Sequence, residues 1–290
     1  MNRRRLAVAL AFALLSGVGA GAQVTTGSTV STPDSLRGRS GKLMARQVGG
    51  RRGGPIRILQ ELFGDSAIGR HGIYQADIAG GPLSFINLLP FGAKNRGRVG
   101  KYLVGNWPRE SRGNPDLPDG FIEVTPENQD THLSEHFRLR DFLTHDQSNV
   151  WPKYLVVREP LLDKLELVIA DLNDRGYSAG RMKVLSGFRT PQYNARGVGT
   201  GGRAKDSRHQ YGDAADVYID ANDDGRPDDL NGDGRSDSRD IRILIESVER
   251  VERQHPELSG GLGLYRPTSR HGGFVHVDAR GASVRWGFSG

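Results

Sequence analysis

The chain has 290 residues, of which 36% are hydrophobic, and its mean hydropathy is −0.52. This length allows one large domain or two modest ones, and the composition excludes a protein with several membrane spans. Lysine and arginine outnumber aspartate and glutamate by 40 to 34, and the absence of cysteine excludes disulfides, thiolate-bound zinc, iron–sulfur clusters and cysteine nucleophiles. A transition metal would therefore need His, Asp or Glu ligands.

Residues 1–22 have the pattern of a secretion signal. Three arginines at positions 3–5 precede a short apolar run over 6–15, and Ala-Gly-Ala at 20–22 supplies a cleavage site. The apolar run is shorter than the roughly 20 residues that a membrane span needs. We expect cleavage before Gln23, a secreted or periplasmic location in the cell envelope, and no membrane span afterwards. Removal of the signal leaves 37 basic and 34 acidic residues, a net charge of +3.

Residues 23–54 are predicted to form a disordered basic linker. The stretch is rich in Gly, Ser and Thr and has too few apolar residues to fold by itself. Its charge would favour an anionic envelope surface, although a solvated linker is the simpler interpretation. No nucleic-acid partner is predicted, because the chain is exported and shows no aromatic residues interleaved with basic ones. The basic residues are Arg37, Arg39, Lys42, Arg46, Arg51 and Arg52.

Residues 55–127 are predicted to form a small β-rich module. Short apolar runs cut by Gly and Pro predict strands at 56–59, 84–89 and 101–104. The region contains no chemical motif. It is either an accessory binding module or a packing extension of the domain that follows.

Residues 128–290 are predicted to form an α+β domain. Pro160 and the helical spacing of the apolar residues after it predict a helix that ends at Gly176. A strand over 182–188 and a short helix from Thr190 follow, and a second amphipathic helix begins at Ile241. Strands mixed with helices, without regular alternation, favour an α+β fold over a parallel α/β fold.

Two strands of this domain carry candidate metal ligands. The segments 207–219 and 273–278 are each predicted to contain a strand, in which alternate side chains point to opposite faces. If the valines and isoleucine face the core, Asp216 and His276 project from the same opposite face. His209 precedes the first strand and can reach over that face. Three such ligands leave a fourth tetrahedral position for water, which is typical of catalytic rather than structural zinc sites.

The sequence resembles the zinc D-alanyl-D-alanine carboxypeptidases, a family whose fold is shared with the Hedgehog signalling domain. The resemblance covers roughly residues 130–288 and implies an antiparallel sheet with flanking helices, with His209, Asp216 and His276 as zinc ligands. The matching segments are Ser207-x-His209-x-x-Gly212-x-Ala214-x-Asp216, Phe274-Val275-His276-Val277-Asp278, Leu185-Ser186-Gly187-Phe188-Arg189-Thr190-Pro191, Tyr193-Asn194-Ala195 and, weakly, His136-Phe137-Arg138-Leu139.

The resemblance also implies a role for Arg189, and it leaves the general base open. Arg189 matches an arginine that meets the substrate near the scissile bond or its terminal carboxylate, either of which suits a guanidinium; a structural ion pair is the alternative. Relatives often carry Glu three residues or His two residues before the last ligand, where this chain has Gly and Phe. The candidates for the base are His271, Asp278 and Asp213, and Asp278 is alternatively a residue that orients a ligand.

Between the two metal strands lies an acidic insertion, 220–240, that resembles the loop and helix of dockerin repeats and half an EF-hand. It contains two registers of Asp-x-Asn-x-Asp-Gly, and oxygen-rich loops of this kind select calcium. We predict structural Ca²⁺ bound here; a solvated acidic loop is the alternative. The candidate ligands are Asp220, Asn222, Asp224 and Asp228 in one register and Asp229, Asn231, Asp233, the carbonyl of Arg235, Asp237 and Asp240 in the other.

These features predict an exported zinc metallopeptidase that cleaves D-Ala-D-Ala-type bonds in peptidoglycan stem peptides, as a carboxypeptidase or an endopeptidase. The alternative is a non-catalytic, zinc-containing module that binds the cell wall, since the usual acidic base is missing. A calcium-dependent adhesion protein that acts through residues 55–127 is a third interpretation. The sequence makes no prediction of oligomeric state.

Overall fold

The computed structural model describes residues 23–24, 36–48, 56–78, 81–199, 202–269 and 271–288. The predicted signal peptide, 1–22, lies outside these residues. The described chain is a mixed α+β structure, as predicted, with α-helices and several small sheets. Within the described residues, no helix combines the length and the apolar character needed to cross a bilayer.

A small four-stranded sheet is built from the amino-terminal part of the chain. Its strand order is β1-β3-β4-β2, in which the central pair is antiparallel and both outer strands are parallel to their neighbours. A helix, α1, covers it with Leu59 and the aromatic ring of Phe63. The elements are β1 (Gln23–Val24), β2 (Arg46–Val48), α1 (Ile56–Phe63), β3 (Gly72–Ile78) and β4 (Gly81–Asn87).

The strand predicted at 56–59 is wrong, because this segment is the first half of α1. Its apolar residues continue to Leu62 and Phe63, and the spacing of Leu59, Leu62 and Phe63 places them on one helical face. That face packs on the small sheet, so Leu59 is fully buried. The four-residue apolar run was too short to distinguish a buried helical turn from a strand.

The described part of the predicted linker is ordered rather than disordered. Residues 36–48 bury Leu36 and Met44 almost completely and end in β2. The segment is fastened to the second helix and the residues before it, since the Gln47 side-chain amide donates to the Val157 carbonyl at 2.5 Å and its backbone N–H donates to Glu159 at 3.0 Å. The segment is therefore ordered because a few apolar residues pack against other parts of the chain, although its composition is typical of disorder.

Five short strands lie between the small sheet and the second helix. β5, β8 and β9 form an antiparallel sheet, and β6 and β7 form a hairpin. The pairing of β8 with β9 crosses the predicted domain boundary at 127/128, and one hydrophobic core continues across it. These elements are β5 (Leu89–Pro90), β6 (Arg98–Val99), β7 (Tyr102–Leu103), β8 (Gly120–Val124) and β9 (Lys153–Leu155).

A five-stranded sheet with helices on one face forms the carboxyl-terminal half. Its order is β10-β11-β13-β12-β14, and all pairs are antiparallel except β12 with β14. Its elements are α2 (Glu159–Asp174), β10 (Met182–Ser186), α3 (Pro191–Ala195), β11 (Ala214–Ile219), α4 (Ser238–Gln254), β12 (Gly261–Tyr265), β13 (Phe274–Asp278) and β14 (Val284–Trp286).

The core of this half lies between the sheet and the paired helices α2 and α4. Val217 of β11 and Val275 and Val277 of β13 are fully buried in it, as the alternation of side chains predicted. The helix predicted after Pro160 is confirmed, and Gly176 ends it with a positive φ of 89°. The polar residues of the same strands lie on the opposite face of the sheet.

Candidate metal centre

His209, Asp216 and His276 meet on the polar face of the five-stranded sheet. Asp216 of β11 and His276 of β13 are direct partners in the strand register. His209 lies in a short 3₁₀ turn that Gly212 ends with a φ of 71°. A side chain at Gly212 would overlap the Val156 carbonyl, so glycine lets this turn lie close to the domain. The structure thus unites the three ligands predicted from the sequence.

The three side chains present one atom each to a common point. His209 Nε2 lies 3.2 Å from Asp216 Oδ1 and 3.1 Å from His276 Nδ1, and His276 Nδ1 lies 2.9 Å from Asp216 Oδ1. All three residues are buried. Tetrahedral ligands at 2.0–2.1 Å from zinc are separated by about 3.3 Å, so the observed triangle is close to that spacing.

The outer hydrogen bonds of the two imidazoles fix their tautomers. His209 Nδ1 lies 2.7 Å from the Gly187 carbonyl, which only accepts, so Nδ1 carries the proton. His276 Nε2 lies 3.2 Å from the ionised Asp278 carboxylate, so this nitrogen also donates. The inward nitrogens of the neutral rings, His209 Nε2 and His276 Nδ1, therefore carry lone pairs. Two lone pairs and a carboxylate oxygen converge, and this arrangement needs a proton or a metal cation between them.

The pKa values of the group follow from this crowding. Burial would raise the pKa of Asp216, but the adjacent His209 and His276 outweigh burial and hold it well below its usual value. Burial lowers the pKa of His209. Burial also opposes the charge on His276, yet its hydrogen bonds to Asp216 and Asp278 raise its pKa overall. Without a metal cation, an additional proton would therefore reside on His276.

Arg189 is attached to this cluster. Its Nη2 donates to Asp216 Oδ2 at 2.5 Å, and its Nε donates to Ser186 Oγ at 2.8 Å. Because Asp216 uses its other oxygen toward the imidazoles, a single carboxylate joins the guanidinium to the metal group. The nitrogen Nη1 has no hydrogen-bond partner among the described residues and remains available for a ligand.

Asp278 and Asp213 do not lie where a general base would act. Asp278 is fully buried, binds the outer nitrogen of His276, and accepts from Arg280 and the Gly261 N–H. It therefore orients His276 from behind, which agrees with the alternative role considered for it. Asp213 is paired with Arg208 and is also buried. Neither carboxylate contacts the inward side of the cluster.

His271 is half-buried and makes no hydrogen bond to the cluster. Its Nδ1 lies 2.8 Å from the Gly272 carbonyl, and its ring meets Phe274 edge to face at 5.2 Å. The absence of an acidic residue at 273 has a packing cause, since a side chain at Gly273 would overlap Ile241 of α4. His271 also lines a surface cavity with residues of the acidic insertion, such as Asp224 and Asp228.

The acidic insertion is folded into two similar loops. Residues 220–228 and 229–237 both read Asp-x-Asn-x-Asp-Gly-Arg-x-Asp, a nine-residue repeat. In both loops the first aspartate accepts the backbone N–H groups of the fifth and sixth positions. Asp237 is the N-cap of α4, and the Asp240 side chain accepts from the N–H groups of Asp237, Leu230 and Asn231. Among the described residues, no three carboxylates of the insertion come within 4.8 Å of one another as the metal cluster does.

One aromatic neighbour of the cluster was not predicted from the sequence. The indole of Trp286 lies 5.0 Å from the ring of His276, measured between centroids. A period-two reading of the last strand would have placed Trp286 on a fixed face, but the parallel pairing of β14 with β12 could not be read from the sequence.

Comparison with known proteins does not assign the chain to a family. No protein-family model matches the chain, and no match is found among curated proteins or solved structures. The chemistry of the cluster therefore rests on the geometry and protonation of its own side chains, which show that His209, Asp216 and His276 could hold a metal ion.

Proposed function

We propose that this chain is an exported zinc peptidase of the Hedgehog/DD-peptidase type that cleaves D-alanyl-D-alanine-type bonds in peptidoglycan stem peptides. The observation that carries the proposal is the convergence of two imidazole lone pairs and one carboxylate oxygen in a buried triangle with edges of 2.9–3.2 Å. The sequence motifs around these three residues support the choice of peptidase class. The signal-like residues 1–22 support export.

Zinc is the metal that this donor set suits best. Two nitrogens and one carboxylate oxygen at tetrahedral spacing match catalytic zinc sites, whereas calcium and magnesium prefer sites made of oxygen alone. When bound, zinc would polarise the scissile carbonyl and lower the pKa of a water in the fourth position. His209, Asp216 and His276 would hold the metal, and Asp278 would keep His276 in the correct tautomer.

Arg189 and His271 would act on the substrate. Arg189 is held in place by Asp216 and Ser186, so its remaining nitrogen can bind the carbonyl or the terminal carboxylate of the substrate without further ordering. The Nδ1 atom of His271 faces a backbone carbonyl, and its Nε2 makes no hydrogen bond to the described residues. It would serve as the general base once substrate and metal bring the reacting water within reach.

A zinc-containing module that binds the cell wall without cleaving it is the second candidate function. It is favoured by the residues just before His276, since Gly273 and Phe274 offer no group that accepts a proton. This module would bind zinc and purified sacculi and would release no product. The half-buried imidazole of His271, a candidate base outside the metal group, favours the enzyme over this alternative.

Hydrolysis of purified sacculi tests the proposed activity. The mature chain loaded with zinc is expected to release D-alanine or shortened muropeptides, and the metal-free chain is expected to release none, because the metal supplies the activated water. Liquid chromatography of the soluble and digested products measures both outcomes. Release of D-alanine would identify a carboxypeptidase, and shortened cross-links would identify an endopeptidase. Zinc binding without any new product would contradict the peptidase and favour the binding module.

We also propose that the acidic insertion binds structural calcium. Each nine-residue loop carries side-chain oxygens of Asp and Asn at its first, third and fifth positions, next to a glycine, and the second loop leads directly into α4. Such loops bind calcium through oxygens at the first, third and fifth positions and a backbone carbonyl at the seventh, here that of Arg226 or Arg235. The role would be to order an insertion that connects β11 to α4.

Calcium is expected to raise the melting temperature of the zinc-loaded chain. Binding to the folded state alone stabilises by about 2.7 kcal/mol when calcium is at 100 times its dissociation constant. Differential scanning calorimetry with added calcium or magnesium measures the effect. Asp233→Asn, which keeps the size of the side chain, should reduce the calcium response while leaving zinc content unchanged. An identical melting curve with and without calcium would contradict the proposal.

A further inference from the structure

A single row of residues crosses the whole carboxyl-terminal sheet at the metal group. The strand register places Ser186, Asp216, His276, Gly263 and Trp286 side by side on β10, β11, β13, β12 and β14. The first member binds Arg189, and the next two are metal-ligand candidates. The row ends with an aromatic residue on the edge strand, separated from His276 by a glycine.

The glycine in this row makes room for the indole. A Cβ on Gly263 would overlap the Trp286 ring, with the Cε2, Nε1 and Cζ2 atoms as its nearest neighbours. The indole therefore lies over Gly263 and reaches the ring of His276, at 5.0 Å between centroids and an interplanar angle of 49°. An aromatic pair at this distance and tilt is attractive.

A second contact fixes the orientation of the indole. Trp286 Nε1 donates to the Tyr265 hydroxyl at 3.1 Å, and the Tyr265 ring stacks on Phe274 at 4.5 Å with an angle of only 8°. Phe274 lies two residues before His276 on β13. Trp286 therefore contacts β13 in two ways: directly through the ring of His276, and through Tyr265, which stacks on Phe274. The indole is thus held between its own strand and the strand that bears the ligand.

We propose that Trp286 is a positioning residue that sets the ring plane of His276 toward the metal, a role that rests on the metal centre proposed above. The terminal torsion of histidine is broad, and the Asp278 hydrogen bond fixes the position of Nε2 but not the rotation of the ring about that contact. The tilted indole packs beside the ring and restricts this rotation. Nδ1 then stays directed at the point shared with His209 and Asp216.

Zinc affinity of Trp286 variants tests this role. In the mature chain, Trp286→Ala is expected to weaken zinc binding about 10- to 100-fold, the usual cost of losing an outer-shell partner of a ligand. Trp286→Phe keeps an aromatic face against His276 and should restore affinity to within about threefold of wild type. Competition with a chromophoric chelator gives the affinities, and the visible spectrum of the cobalt form reports changes in ligand geometry. A Trp286→Ala chain with wild-type zinc affinity and an unchanged cobalt spectrum would overturn the inference.

A methyl group at Gly263 gives an independent test. Gly263→Ala should displace the indole and weaken zinc binding in the wild-type background, but should have little further effect in the Trp286→Ala background, where no indole is displaced. Equal losses in both backgrounds would overturn the role assigned to the indole. A wild-type chain that binds no zinc would overturn the metal centre and this inference together, whereas normal binding by the Trp286 and Gly263 variants overturns this inference alone.

Discussion

Replacement of His209 by alanine is expected to abolish stoichiometric zinc binding and to lower any zinc-dependent hydrolysis by about three orders of magnitude or more. His209 would supply one of three ligand atoms and is buried, and alanine offers no ligand atom in its place. Activation of water and polarisation of a carbonyl by a metal contribute several kcal/mol to the barrier, and each 1.36 kcal/mol is a factor of ten. Metal analysis of the purified chain and product release from sacculi measure the two effects.

Two other histidine variants separate metal loss from loss of the base. His71→Ala removes a half-exposed imidazole of the small amino-terminal sheet and should change neither zinc content nor turnover. His271→Ala should keep one zinc per chain and still lower turnover about 10²- to 10⁴-fold, the usual contribution of a general base. A His209→Ala chain that retains one tightly bound zinc would contradict the ligand assignment. Full turnover by His271→Ala would remove its role as base.

The convergence of the candidate metal ligands was predictable because strand geometry is strongly constrained. Once 214–219 and 274–278 are strands with buried valines, alternation sends Asp216 and His276 to the same face. The sequence does not determine which residues become partners across the two strands. The structure supplies that register, and it also supplies the Gly187 carbonyl and the Asp278 carboxylate that fix the two tautomers. These partners are distant in sequence or depend on ring orientation, so no local pattern reveals them.

The predictions of a disordered linker and of a domain boundary, which depended on composition and local pattern, were less successful. The basic segment before the first helix has few apolar residues, yet Leu36 and Met44 are buried because folded partners lie nearby. The boundary at 127/128 followed a change in pattern along the chain, whereas β8 and β9 pair across it. Long-range partners therefore determined both outcomes, and a window of sequence contains no information about such partners.

The sequence pattern also gave no sign of a buried cation beneath the metal sheet. Lys164 lies on the core-facing side of α2 and its side chain is fully buried. Its Nζ donates to Glu252 of α4 at 2.6 Å and to the Asp278 carbonyl at 2.7 Å. Burial lowers its pKa, and the adjacent Glu252 opposes that effect. Lys164 therefore connects both helices to the strand end whose carboxylate orients His276.

Lys164→Met is expected to destabilise the chain by about 3–5 kcal/mol. Methionine fills much of the same space but leaves the buried Glu252 carboxylate without its ammonium partner, and removal of one member of a buried ion pair usually has an effect of this size. Arg285 and the Gly260 N–H also bind Glu252, so part of its charge stays compensated. Chemical denaturation followed by tryptophan fluorescence measures the change.

An exposed ion pair provides the matched control for this substitution. Arg57 and Glu61 form an i,i+4 pair on α1 with side chains that are 88% and 60% exposed, and Arg57→Met should change stability by less than about 1 kcal/mol. In the double variant Lys164→Met with Glu252→Leu, apolar packing replaces the whole pair, so most of the lost stability should return. If Lys164→Met costs no more than Arg57→Met, the buried pair does not hold the helices to the metal strand. A loss that the double variant fails to recover would instead be assigned to the other contacts that it lacks, which are those of Lys164 with the Asp278 carbonyl and of Glu252 with Arg285 and the Gly260 N–H.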